Sequence, residues 1–248
     1  MSTPILYVFA ISHYCEKARW ALDYLGIVYR LHHLAPGPHI KFTRARGFSD
    51  CTLPILVGDD LRLQGSSRII DWAIDNCPGT ARSLATNDPQ RSAEIEQRLD
   101  ERFGVQVRRY YYSDVLIAHP ETVRPMFSRD LPWPQKLVLR LAWSKICDAM
   151  IKGMDLGAAQ RRESRQIVET ELDWVDSLLA DGGRFLVGEQ LSRTDLSAAA
   201  LLAPLALPPE HPTYPRLQVP ASTAADLAEW QSRPSIKWTR EIYRRYRQ

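Results

Sequence analysis

Residues 4–26, PILYVFAISHYCEKARWALDYLG, decide how the rest of the chain is read. The run Pro4 to Ala10 is apolar, of strand length and rich in β-formers. It passes through Ile11-Ser12-His13-Tyr14-Cys15 into Glu16 to Leu25, which sets Ala18, Ala21, Leu22 and Leu25 on one helical face, with Gly26 placed to stop it. Next, Ile27 to Leu34 alternates as a second strand, and residues 35–50 read as an exposed polar loop with one helical turn. Leu53 to Val57, a turn at Asp59-Asp60, and Leu61 to Leu63 predict a hairpin. Ser66 opens a helical stretch, SSRIIDWAIDN, that ends before Pro78-Gly79. The order β-α-β-(α)-β-β-α predicts a small sheet with helices on its faces.

Beyond Pro89 the strand signals vanish. Arg91 to Leu116, Pro134 to Met154, Gln160 to Leu179, Ser192 to Leu207 and Ala221 to Gln231 all carry helical spacing. Residues 77–90 read as the linker between the two halves. Ser192 as N-cap with Asp195 three residues on is a capping-box variant, stapled by Leu191 and Leu196. Pro208 to Pro220 contains five prolines and reads as an extended excursion before the final helices.

Composition bounds the function. The chain has 248 residues, 45% hydrophobic and 25% charged, as a globular protein of one or two domains has. Its formal charge of +3 is too balanced for the basic stripe of a nucleic-acid binder. The first residues carry no cationic leader, and the longest apolar stretch, Leu196 to Leu207, is too short to span a bilayer. Cys15, Cys51, Cys77 and Cys147 are scattered without a CxxC, so reduced thiols in a cytoplasmic protein are expected, with no membrane or nucleic-acid partner.

Three places can hold chemistry. At the first strand-to-helix turn, the helix N-terminus favours an anion such as a thiolate, and Ser12 either caps the helix or donates to a bound sulfur. Cys15, inside the first helical turn, reads as a buried, unreactive thiol, with a thiol-disulfide or peroxide-handling role as the alternative. Pro54 lies at a sheet edge or forms a cis bend that presents the Leu53 backbone to a peptide-like ligand. In Gln64-Gly65-Ser66, Ser66 either caps the next helix or receives a carboxylate. His32, His33, His39 and Cys51 fit no metal-ligand spacing and read as solvated loop residues, and no metal is expected. The tail Arg240, Arg244, Arg245 and Arg247, with Tyr243 and Tyr246, reads as a solvated terminal helix face.

The joint order of these motifs resembles the glutathione S-transferase superfamily over most of the chain. Ser12-His13-Tyr14-Cys15, followed by Lys17, Arg19, Trp20, Ala21 and Leu22, is similar to that family's active-site turn and first helix. Leu53-Pro54 is similar to its cis-proline step, Ser66 with Ile69 and Trp72 to its second helix start, and Arg184 to Asp195 to a segment of its helical domain. The resemblance implies an α/β thioredoxin-like N-terminal domain over residues 1–80 and an all-α domain over residues 90–248. It implies a homodimeric, detoxifying enzyme that binds glutathione as co-substrate and directs its thiolate onto a small hydrophobic electrophile. Conjugation and glutathione-dependent isomerisation or cleavage are both compatible. Ser12 would be catalytic, with Tyr14, Leu53, Pro54, Gln64, Gly65 and Ser66 around the glutathione, and Arg108, Tyr111 and Tyr112 in the second-substrate pocket. The family usually carries an acidic or amide side chain where this chain has Gly65; Gln64 would replace it if the backbone shifts by one residue. That departure supports the rival reading, a non-catalytic binding or scaffold protein of the same fold.

Overall fold

A computed structural model describes residues 2–79 and 82–247; the linker read at 77–90 lies partly outside them. The chain divides into two compact units, one comprising Met1–Ser83 with Arg124–Asp148 and the other Leu84–Val123 with Ala149–Gln248.

In the first unit, strands β1 (Ile5–Val8), β2 (Arg30–His33), β3 (Ile55–Val57) and β4 (Arg62–Gln64) form a sheet of order β2-β1-β3-β4. β1 runs parallel to β2 and antiparallel to β3, which pairs antiparallel with β4 as the predicted hairpin. Helix α1 (His13–Tyr24) makes the crossover from β1 to β2. Its Ala18, Ala21 and Leu22 are buried, and Gly26, at φ +71°, takes the left-handed conformation that stops it. Helix α3 (Ser66–Asp75) packs on α1, and Ile69 and Ile70, like Trp20, Leu22, Leu6, Ile55 and Leu56, are fully buried.

Two segments differ from the sequence reading here. Residues 35–50 hold a seven-residue helix, α2 (Pro38–Arg44), rather than a single turn: Pro38 sits in its first turn, where a missing N–H costs no bond. His33 and His39 are half-buried rather than solvated. His33 Nδ1 lies 3.2 Å from an Asp130 carboxylate oxygen, and burial holds both imidazoles below the usual histidine range. Helix α6 (Pro120–Ser128) occupies a stretch to which the sequence assigns no element; it begins at Pro120 and carries Pro125 inside it. It precedes α7 (Trp133–Gly153).

In the second unit, α4 (Pro89–Arg98) and α5 (Gly104–Ala118) are joined by a π turn, Leu99–Phe103, so the predicted helix over 91–116 is continuous but not regular. Helix α8 (Ala158–Leu178) packs on α5. Helix α9 (Arg193–Ala206) is buried over thirteen positions and forms the centre of the unit. Helices α10 (Ala221–Trp230) and α11 (Pro234–Tyr246) follow the proline-rich excursion, which is non-helical except for a three-residue 3-10 turn at Tyr214–Arg216. The tail is not only a solvated face. Tyr243 is fully buried, and the Arg240 Nε donates to the Ala206 carbonyl at 2.8 Å.

Candidate functional site

The register of the sheet gathers most of the predicted residues at one end of the first unit. Tyr7 of β1 pairs with Ile55 of β3, so the chain leaving β1 toward Ser12 and the chain entering β3 through Pro54 share that end. Ile55 also pairs with Gln64, and the Gly65 N–H donates to the Pro54 carbonyl at 3.0 Å, which brings the start of α3 to the same place.

Ser12 is the N-cap of α1. Its N–H donates to the Phe9 carbonyl at 3.1 Å, and its hydroxyl oxygen accepts from the Cys15 N–H at 3.3 Å. Ser12 is half-buried, so this capping residue is not sealed into the core. Tyr14, also half-buried, packs its ring 4.6 Å from that of His13. Cys15 is buried, and burial pushes its thiol up to about 12, against the opposing pull of the Ser12 hydroxyl and the Phe9 N–H, which donates to its sulfur at 3.4 Å. At neutral pH such a thiol is protonated and a poor nucleophile.

The Leu53-Pro54 peptide bond is cis. Leu53 lies outside the ladder, which begins at Ile55, so its backbone is not spent on sheet pairing. Gln64 does not take the place of Gly65. It lies in β4, and its amide Nε2 donates to the Asp50 and Thr52 carbonyls, each at 2.9 Å, which fixes the loop before the cis bond. Gly65, not Ser66, is the N-cap of α3. Its φ of +94° belongs to the left-handed region, and a Cβ added there would meet nothing within 4 Å. Ser66 is the first helical residue and is 5% exposed. The first-turn N–H groups of α3 have no intrahelical acceptor and suit a carboxylate.

An aromatic cluster adjoins the Ser12 turn. Phe9, three residues before Ser12, stands edge-on to His39 at 4.8 Å and to Phe127 at 5.9 Å, and Phe127 lies 6.1 Å from Trp143. Sequence reading missed it because Phe127 and Trp143 lie more than a hundred residues from the turn. The pocket residues of the second unit do not stay together. Arg108 and Tyr112 are half-buried on α5, but Tyr111 belongs to the core. Its hydroxyl donates to the Pro204 carbonyl, which a helical N–H at position 208 would have met had that residue not been proline. Among the described residues, no group of three His, Cys, Asp or Glu could hold a metal ion, and no helix is long and apolar enough to cross a membrane.

Comparisons with known proteins fit this geometry. Residues 6–81 match the family described as glutathione S-transferase, N-terminal domain. The chain is similar to the β-etherase LigF from Sphingobium sp. strain SYK-6, at 17% identity and TM-score 0.60, over 97% of this chain and 99% of that one. It is similar to glutathione transferase GSTFuA3 from Phanerochaete chrysosporium, at 16% identity and TM-score 0.63, over 99% and 98%. It is also similar to glutathione transferase URE2P8 from the same fungus, solved with oxidized glutathione, at 11% identity and TM-score 0.55, over 99% and 96%. No curated protein matches the sequence. Residues 6–81 are thus similar to a glutathione S-transferase N-terminal domain, and over its length the chain shares the fold of these solved glutathione transferases.

Proposed function

We propose that the protein is a glutathione transferase that directs the glutathione thiolate onto a small hydrophobic electrophile. The observation that carries this reading is Ser12: a half-buried hydroxyl at the N-terminus of α1, at the sheet end shared with Leu53-Pro54 and Ser66. The hydroxyl donates to the glutathione sulfur, and the helix dipole adds a partial positive charge beside it. Both favour the thiolate, which raises the nucleophile available at neutral pH. The Leu53 backbone pairs with the cysteinyl unit, and Ser66 with the first turn of α3 takes the γ-glutamyl carboxylate. Tyr14 lines the sulfur end. Phe9, edge-on to Phe127, supplies an apolar wall close to Ser12, consistent with a hydrophobic second substrate. Arg108 and Tyr112 are the pocket candidates that the second unit keeps.

Gly65 provides no side-chain acceptor for the γ-glutamyl ammonium, so the fit to glutathione lacks one polar contact. The rival scaffold reading draws on that gap. The redox reading through Cys15 has the buried, protonated thiol against it. A homodimer is part of the proposal. The outer face of α7 supports it, with Trp133 and Leu141 exposed by 73% and 79% and Leu137 and Val138 between them. Sedimentation at micromolar concentration reads one copy or two.

Immobilised glutathione is expected to retain the wild-type protein, and Ser12→Ala is expected to lose about tenfold or more in conjugating turnover while glutathione binding is largely kept. A folded protein that ignores the matrix would move the assignment to the scaffold reading.

A further inference from the structure

Lys17, on α1, is fully buried. An ammonium withdrawn from water costs several kcal/mol unless polar partners hold it, whereas an apolar residue of similar length would fill the same space without that cost. Its Nζ donates to the Ser67 hydroxyl oxygen at 3.0 Å, across fifty residues of sequence. The two ends of this contact are informative. Lys17 lies five residues after Ser12, on the helix whose N-terminus takes the sulfur end of glutathione. Ser67 lies one residue after Ser66, in the turn that takes the carboxylate end. The contact therefore sets the spacing between two helix N-termini that must grip one ligand at once, and it places a cation beneath the first turn of α3.

We propose that Lys17 is a positioning residue for glutathione, fastening the carboxylate subsite at Ser66 to the sulfur subsite at Ser12; this rests on the glutathione reading above. A ligand that spans both subsites feels the loss of the clamp. One that uses only the sulfur end does not.

The test is calorimetric titration of wild type, Lys17→Met, Lys17→Arg, Ser67→Ala and the Lys17→Met/Ser67→Ala double variant with reduced glutathione and with cysteinylglycine, which lacks the γ-glutamyl unit. Lys17→Met is expected to weaken glutathione about tenfold, the order set by one charged hydrogen bond. Ser67→Ala is expected to lose less, and the double variant no more than Lys17→Met alone. Lys17→Arg should recover most of the affinity, and cysteinylglycine should bind all five proteins alike. Equal losses for both ligands, or no loss for glutathione, overturn the proposal. If Lys17→Met fails to fold, Ser67→Ala decides by the same two titrations. Wild type that does not bind glutathione defeats the glutathione reading and this inference with it, whereas wild-type binding that the variants leave intact defeats the inference alone.

Discussion

Two helices of this molecule begin on the same frame, Ser-x-x-X, and end with opposite fates. At α9 the frame is Ser192-Arg193-Thr194-Asp195; at α1 it is Ser12-His13-Tyr14-Cys15. Asp195 is fully buried and accepts from the Leu186 N–H at 2.6 Å, the Ser192 N–H at 2.9 Å and the Ser192 hydroxyl at 2.7 Å. Nothing polar at that cap is left to offer a ligand. At α1 the third position carries a sulfur in place of a carboxylate, and Ser12 stays half-buried. The two serine caps thus differ in what stands three residues later and in how deeply the turn is buried. The cap geometry alone does not separate the two.

The sharpest way to break this comparison is Asp195→Ala. It strands three donors, two of them on the buried Ser192 and each of those worth about 1–3 kcal/mol when unsatisfied, so urea unfolding should show a loss of about 2 kcal/mol or more. A loss below about 1 kcal/mol would mean that the α9 cap is no more committed than the α1 cap. The charge state adds a second signature. Burial pushes the Asp195 carboxyl up to about 6, from 3.8, so the folded chain holds this proton more tightly than the unfolded one. Its contribution is full below pH 4 and is lost as pH rises through about 6. The stability of wild type relative to Asp195→Asn should accordingly fall between pH 4 and pH 7. A flat difference would contradict the buried, proton-holding carboxyl.

A smaller effect is expected at the start of α3, the third N-terminus. Gly65→Gln places an acceptor in open space, since a Cβ at this position would meet nothing within 4 Å. Its cost is a positive φ combined with an extended ψ, a conformation nearly confined to glycine, about 1–3 kcal/mol of stability for a residue with a side chain. Glutathione affinity should rise by up to about tenfold, the order of one charge-assisted hydrogen bond. Unchanged affinity would show that the ammonium of the ligand does not approach position 65. The smallest effect belongs to Cys15→Ser, which should leave conjugating turnover within about twofold, since a protonated thiol contributes no nucleophile. Complete loss would return Cys15 to the chemistry.

Much of this was legible in the sequence because it is written in local pattern. The hairpin, the Gly26 stop, the Ser192 cap and the proline step at 53–54 each depend on residues within a few positions of one another. Helix α6 was hidden because Pro120 falls in its first turn, where proline is tolerated, while Pro125 forfeits one bond without ending the helix. The π turn at Leu99–Phe103 was hidden because helical spacing averaged over 26 residues conceals one widened turn. Within the candidate site, the positions of Ser12 and Ser66 at helix starts could be read, but the burial of Lys17 could not: it depends on a helix fifty residues downstream. Tyr111 and Tyr112 are neighbours of identical type, and only the packing of α5 against α9 separates a core tyrosine from a half-exposed one.

The end of α9 carries a consequence for how this sequence can change. Pro208 brings no N–H, so the Pro204 carbonyl is met from afar by the Tyr111 hydroxyl, while the Ala206 carbonyl, at the last helical residue, is met by the Arg240 guanidinium. Position 111 is thereby indebted to position 208, although nearly a hundred residues lie between them. In relatives that carry a residue with an amide hydrogen at 208, the demand for a hydroxyl at 111 lapses and phenylalanine becomes acceptable there. The two columns should vary together, tyrosine with proline and freedom with freedom.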